Sequence, residues 1–409
     1  MKYLPLETPG KGHTGYQQQV KEANIKRIFD LVRSGKCKSR AEIVRYMNLS
    51  ATSVSVLVEE LAARGLIDET GPTHTSLPGR RPISLRLNSD AHQMAVFSLR
   101  GEGINYVLLN LECKMIEKRF FPMDFIQVPA DEVGAESMRL IEDILRRRAK
   151  RFERGKALIV GISCPGVYCA DEGAFYVRSA SGIHLTEEPV RRFQQRMELP
   201  IYLSNDTRSM AYAEKKLLDA ADPDGPETQD MLFVEIRNGV GCAVISGGNI
   251  YTGPYNVAGE IGHMTIDHRG RPCPCGSRGC LERYVNLNSL LEDARQAAEA
   301  AGIEPPESMA ALAKRYPDEP VLQKPLYESA RILASGLYSL MCGSGMRRIV
   351  LGGGIEVLGQ PFLEEVRRCL RERTMLIHHL YLDYAQSGPN GENIGLAQHF
   401  LDKVFTVTM

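Results

Sequence analysis

The sequence predicts an α/β protein that opens with a winged helix-turn-helix, and three observations predict it. Three short one-faced helical patterns precede two strand-length runs between residues 21 and 90. From Ala91 onward, short apolar runs alternate with helical segments. Between Gly259 and Glu282, three cysteines crowd into one loop behind His263.

Residues 1–20 are polar and Gly-containing, the composition of a loose arm. Ile25, Ile28, Phe29 and Val32 then recur at i, i+3, i+4, i+7, one face of a helix that Gly35 ends. Ser39 and Glu42 form a capping box for a second helix with Ile43, Val44 and Met47 inward. After a tight turn at Asn48-Leu49, Ser50 caps a third helix. Val54, Leu57, Val58 and Leu61 lie inside it, and Gly65 closes it. Small hydroxyls at Ser50, Thr52, Ser53 and Ser55 let the start of this helix approach phosphates and base edges without steric conflict. Leu66–Glu69 and Ile83–Leu87 read as two strands around a Gly-Arg-Arg-Pro tip. Arg80 and Arg81 there suit a narrow minor groove, with a solvated basic loop as the alternative.

The body follows as residues 91–409. Met94–Leu99, Tyr106–Leu111, Ala157–Ile162, Ile201–Leu203, Met231–Ile236, Val240–Ser246 and Arg348–Leu351 are strand-length runs. Leu140, Ile144 and Leu145 mark a helix, as do 287–301, 310–316 and 321–341. Ala221–Glu227 and Ser387–Glu392 read as surface turns by composition.

Composition narrows the function classes. The 409 residues suffice for two or three domains, and 43% hydrophobic content supports sizeable cores. Fifty basic and fifty acidic side chains cancel, but unevenly. Residues 1–90 hold 14 Lys/Arg against 9 Asp/Glu, leaving 36 against 41 in the remainder. A basic head on an acidic body confines polyanion binding to the head. Apart from the metal loop the cysteines are scattered, which reads as a reduced, cytoplasmic protein. No apolar run approaches 18 residues and no signal-type segment opens the chain, so neither a membrane span nor a secretory leader is expected.

Cys273, Cys275, Cys280 and His263 supply three thiolates and one imidazole, a closed set for tetrahedral structural zinc. Gly276 and Gly279 let the backbone curl enough to aim the sulfurs inward. His268 is a rival nitrogen ligand, and a group of reduced surface cysteines is the bland reading. Glu260 and Glu282 flank the loop with carboxylates able to accept hydrogen bonds from vicinal hydroxyls.

The pattern Glu260-Ile261-Gly262-His263, a gap, then Cys273-Pro274-Cys275-Gly276 and Gly279-Cys280-Leu281-Glu282 resembles the zinc signature of the ROK family of repressors and sugar kinases. The head also resembles the N-terminal domain of ROK repressors at Ser39–Ile43, at the opening of the third helix and at Gly79-Arg80-Arg81-Pro82. The likeness spans about residues 20–400 and implies an actin-like (ribonuclease-H-like) body of two lobes, with sugar between them. On that likeness the last fifty residues finish the second lobe. Glu260, His263 and Glu282 match positions that contact sugar hydroxyls, His263 also holding zinc. Asn205-Asp206 matches the position of the kinases' catalytic Asp, a general base or merely an acceptor for a sugar hydroxyl.

The kinase motifs themselves fail. The D-x-G-G-T window falls on Ser98-Leu99-Arg100-Gly101-Glu102, where Arg100 crowds a phosphate and Glu102 repels it. A G-T-G loop is replaced by Arg237-Asn238-Gly239. The family's P-N-x-x-W-type loop has no counterpart, leaving Ser179, Ser181 or His184 as substitutes and Arg178 as a conceivable phosphate partner. The resemblance therefore implies a repressor without catalysis. Its partners would be operator DNA, a sugar or sugar phosphate, and further copies of the chain as a homodimer or tetramer. A kinase with a DNA-binding head and a regulator answering to a protein partner are the alternatives.

Overall fold

A computed structural model describes residues 2–4, 16–72, 83–100, 102–123, 128, 132–148, 157–169, 174–176, 184–222, 229–373 and 380–404. A short strand, β1 (Lys2–Leu4), pairs antiparallel with residues 201–203 at the edge of the body's first sheet. The arm expected over residues 1–20 is thus partly structured. Helix α1 (Tyr16–Arg33) also begins ahead of the boundary at 21.

The head continues with α2 (Arg40–Met47), α3 (Ala51–Ala63) and an antiparallel pair, β2 (Ile67–Pro72) and β3 (Ile83–Leu87). The local causes match the periodicity. Ser39 Oγ accepts the Glu42 amide, and Asn48 takes the left-handed conformation that ends α2. Ile25, Ile28, Phe29, Ile43, Val54, Val58 and Leu61 are buried. Arg40 ties α2 to α3 and β2 through Glu59 and Glu69. The β2–β3 connection, with Arg80 and Arg81, lies outside the described residues.

The body has two lobes of one topology. In the first, β4 (Gln93–Arg100), β5 (Gly103–Asn110) and β6 (Met115–Pro122) form an antiparallel meander. Helix α4 (Val133–Arg148) precedes β7 (Ala157–Cys164), parallel to β4. A small sheet of β8 (Val167–Cys169), β9 (Ala174–Tyr176) and β10 (His184–Thr186) follows. Helix α5 (Glu187–Met197) leads to β11 (Ile201–Asn205) and α6 (Asp206–Ala221). The main sheet runs β1-β11-β7-β4-β5-β6.

The second lobe repeats the meander with β12 (Met231–Ile236), β13 (Val240–Ser246) and β14 (Asn249–Tyr251). The cysteine loop and helices α7 (Glu282–Val285), α8 (Leu287–Ala300), α9 (Met309–Arg315) and α10 (Pro320–Ser344) come next. Strand β15 (Arg348–Gly352), helix α11 (Gly359–Arg371) and strand β16 (Tyr381–Tyr384) complete it, and helix α12 (Gly391–His399) follows. Its sheet runs β14-β13-β12-β15-β16, the order of the first with β1 set aside. The first strand of each lobe is central and buried along nearly its whole length, so it reads as an apolar run, broken only by Ser98 in β4 and Glu235 in β12.

The chain's end departs from expectation. Helix α12 does not finish the second lobe. It packs beneath the first, where Leu396 fills the space over Gly161 that a side chain would need. Phe400 and Leu401, just past it, join one buried cluster with Phe29 and Val32 of the head and Met94, Val96 and Val107 of the sheet. Head and body therefore share a core, and truncating Phe400 to Ala should cost about 3–5 kcal/mol. Asp402 accepts from Tyr212 Oη at 2.9 Å, pairs with Lys216 at 2.5 Å, and pairs with Arg33 of α1. Burial alone would raise its pKa, but Arg33 and Lys216 hold the carboxyl below its ordinary value. The surface turn expected at Ser387–Glu392 holds at its tip, where Gly388 and Pro389 are exposed, but not at its end, where Glu392 is 3% exposed. Of the other such turn, residues 223–228 lie outside the described residues.

Candidate functional site

The cysteine loop is folded back on itself by β-bridges between Thr265 and Cys280 and between Pro272 and Arg278. Gly279 sits at φ +66° with the Asp267 carbonyl 1.6 Å from where a Cβ would be, so no other residue fits. His263 Nδ1, Cys273, Cys275 and Cys280 come together, every ligand atom within 4.8 Å of the others. Cys275 and Cys280 sulfurs are 3.6 Å apart, and Cys273 Sγ is 3.8 Å from His263 Nδ1. Tetrahedral zinc with Zn–S of about 2.3 Å sets sulfurs roughly 3.8 Å apart, so the residues fit the ion. Burial pushes the Cys273 and Cys280 thiols up, and the Ser277 backbone N–H draws Cys275 down. A divalent cation would supply the charge that makes all three thiolates. His268 is exposed, bonded to Arg269, and outside the set. Arg271 fastens the loop to α8 through both oxygens of Asp293.

One open cleft of about 2560 Å³ between the lobes is lined by Asn205, Asp206, Glu260, His263 and Glu282 together. That exceeds the several hundred Å³ of a closed small-molecule pocket, as expected of lobes standing apart. Glu260 enters from a turn that depends on Gly259, whose φ is +106° and whose Cβ would strike the Cys242 carbonyl. The Glu260 carboxyl opens to the cleft, yet the surrounding walls displace water and raise its pKa. Glu282 begins α7 with Oε1 3.1 Å from Cys273 Sγ. The cysteine loop and the cleft-facing carboxyls are therefore one unit.

Asn205 has a structural task that sequence reading missed. It caps α6 by accepting the Arg208 amide at 3.0 Å and donates to Gly166 O at 2.9 Å. Asp206 accepts the Thr207 amide at 2.9 Å and stands 4.0 Å from Arg100 Nη1. Thr207 donates to Glu235, and burial, with the Asp206 charge second, pushes the Glu235 carboxyl up to about 8. Arg208 holds the loop before Glu260 by donating to Asn256 O at 2.7 Å. Arg100 pairs with Glu392, and Arg237 approaches the same carboxylate at 3.8 Å. Arg100 and Arg237 were legible as motif failures, but their partner lies at the far end of the chain.

In the head, Ser50 is used as a cap, accepting the Ser53 amide at 3.1 Å with the two hydroxyls 2.8 Å apart. Thr52 is exposed and Ser55 half-buried, so α3 presents Thr52 most freely. Arg178, Ser179 and Ser181 lie outside the described residues, as does the side chain of His184.

A two-lobed actin-like body with a His-Cys₃ loop at its cleft, behind a helix-turn-helix, defines the class. The chain belongs to the ROK family, whose model matches residues 100–396. It is similar to a putative xylose repressor of Caldicellulosiruptor sp. (strain Rt8B.4), 27% identical over 91% of this chain and 94% of that one. It is also similar to the DNA-binding transcriptional dual regulator NagC of Escherichia coli (strain K12), 25% identical over 70% and 68% of the two chains. Among solved structures, it resembles a ROK family transcriptional regulator described as a homolog of the E. coli MLC protein. The TM-score is 0.78 at 21% identity, covering 94% of this chain and 97% of that one. A ROK glucokinase from Streptomyces griseus, with glucose and AMPPNP, covers only 75% of this chain at 21% identity and TM-score 0.60.

Proposed function

We propose that the chain is a sugar-responsive transcriptional repressor. The head binds operator DNA as a winged helix-turn-helix, in a homodimer or tetramer, and a sugar or sugar phosphate between the lobes releases it. The carrying observation is the joint core: a helix-turn-helix packed on a ROK body through Phe400 and Leu401. The curated relatives named xylose repressor and NagC support the same reading. Asn205, Asp206, Glu260, His263 and Glu282 form the polar wall for sugar. One zinc per chain on His263, Cys273, Cys275 and Cys280 braces that wall and fixes the His263 ring. The protein works in the cytoplasm, where its DNA is.

It is not a kinase in this reading. Phosphoryl transfer relies on positioning and charge neutralisation around nucleotide phosphate, and Glu392 already takes up Arg100. Asp206 is then a sugar acceptor rather than a general base. ATP turnover should be undetectable with any hexose, and steady ADP release that vanishes in Asp206→Asn would restore the kinase.

Calorimetry of the full chain against D-xylose, D-glucose, N-acetylglucosamine and their phosphates, with and without operator, tests the central claim. Operator must weaken the cognate sugar by the factor by which that sugar weakens operator binding. A sugar that tightens DNA binding reverses the sign, and no binding by any member removes the sugar reading. In the wing, Arg80→Ala with Arg81→Ala should lower operator affinity and flatten its salt dependence by about 0.9 per lost phosphate contact.

A further inference from the structure

The two lobes offer matching parts to one point between them. Arg100 closes β4, the first strand of the first lobe, and Arg237 follows β12, the first strand of the second. Asp206 opens α6 after the last strand of the first lobe, and Glu392 stands in the first turn of α12 after the last strand of the second. Arg100 meets both carboxylates, Asp206 at 4.0 Å and Glu392 in direct contact. Arg237 is anchored in its own lobe, donating Nε to Gly353 O at 3.0 Å and lying 2.9 Å from Glu235. Its Nη1 reaches Glu392 only at 3.8 Å.

These contacts divide by lobe, apart from Arg237 Nη2, which also donates to Met210 Sδ of α6 at 3.2 Å. Helix α12 is seated under the first sheet by Leu396 over Gly161, so Arg100 and Glu392 move together. Arg237 is the member that travels with the second lobe. At 3.8 Å it attracts Glu392 but is beyond hydrogen-bond distance. A small closure converts that approach into a charge-assisted hydrogen bond in a site where Glu392 is 3% exposed and poorly screened.

The far ends of the same two helices meet the head. Helix α12 runs on into Phe400, Leu401 and Asp402, and α6 contributes Tyr212 and Lys216. All of these converge on Asp402, which pairs with Arg33 of α1, while Lys26 of α1 donates to the Asp402 carbonyl at 3.4 Å.

We propose that Arg237, Glu392 and Arg100 form an interlobe latch, and that α12 carries the state of the latch to the DNA-binding head through Asp402. The inference rests on the repressor reading for its biological sense, but the latch is testable without sugar. In the full-length protein, Arg237→Gln removes the charge of the second-lobe partner and leaves the first-lobe pair intact. Amide hydrogen exchange in α1 and in residues 399–404 should then quicken several-fold, and Arg237→Lys should restore most of the protection. Glu392→Ala should quicken the same amides. Because it leaves two guanidinium groups facing a carboxylate-sized gap, millimolar inorganic phosphate should slow them again in this variant and not in wild type. Unchanged exchange at α1 and 399–404 in Arg237→Gln overturns the latch, whatever sugar does. Where a sugar binds, Arg237→Gln should keep sugar and operator affinities within about threefold, while the coupling between them, of order five- to a hundredfold, falls toward one. Retained coupling in that variant also overturns it, whereas absence of any sugar response in wild type refutes the repressor reading and leaves the exchange test standing.

Discussion

The two ends of the interlobe cleft are built on opposite principles. At the cysteine-loop end, Glu260 is exposed in the cleft, and Glu282 lines it from a half-buried position with Oε1 against Cys273. At the other end, the buried carboxyls of Glu235 and Glu392 are set against the half-buried guanidinium groups of Arg100 and Arg237. An open carboxylate waits for hydroxyls; a buried and paired one excludes a ligand, since removing either partner strands a charge in poor solvent. In the reading proposed above, the cleft keeps a wall for sugar, while Arg100 and Arg237 stand where a phosphate loop would be.

The largest expected effect lies at the metal loop. Cys275→Ser should lower zinc from one per chain to none and drop the thermal midpoint by many degrees, because metal-binding energy is folding energy here. Metal analysis of wild type that finds no zinc would erase the comparison at its root.

Next is the open end proper. Glu260→Gln removes the charge from an acceptor, and a hydrogen bond to a charged group is worth about 1.5–3 kcal/mol. Sugar affinity should fall roughly ten- to a hundredfold by titration calorimetry, with operator affinity unchanged because the head is remote. Equal loss of both would mean that Glu260 supports the fold rather than the ligand.

The smallest effect concerns the closed end and pH. Glu235 carries a pKa raised to about 8 by burial, above its ordinary carboxylate value of 4.5. The folded state therefore binds a proton that the unfolded chain has released. Its contribution to stability is complete below about pH 4.5 and is lost as pH rises toward and through about 8. Glu235→Gln mimics the protonated form, so denaturant midpoints should depend less on pH between 5 and 8.5, with the variant gaining on wild type at the alkaline end. Parallel curves would show that Glu235 titrates normally.

Much of this was legible in residue order. The head's helices appear where Ile25, Phe29, Val54 and Leu57 repeat, because a helix buries one stripe and periodicity records it. The metal set appears in spacing alone, since His263 and the three cysteines are close in sequence and one loop aligns them. Strands β4, β7, β12 and β15 were visible as apolar runs. Strand β6 was not, because it is largely exposed and alternates poorly.

What the sequence by itself determined is local: helix faces, caps, the clustering of His263 with three cysteines, and the hairpins where Arg100 and Arg237 stand. Only the tertiary structure decided that Glu392, read as part of a surface turn, is buried between the lobes, and that the last helix leaves its own lobe to join the head. The physical reason is separation along the chain. A carboxylate's burial and partner depend on which strands and helices close around it, and Glu392 meets Arg100 across 292 residues that no periodicity spans. Asp402 likewise gains its meaning only when α1, α6 and the end of α12 converge on it.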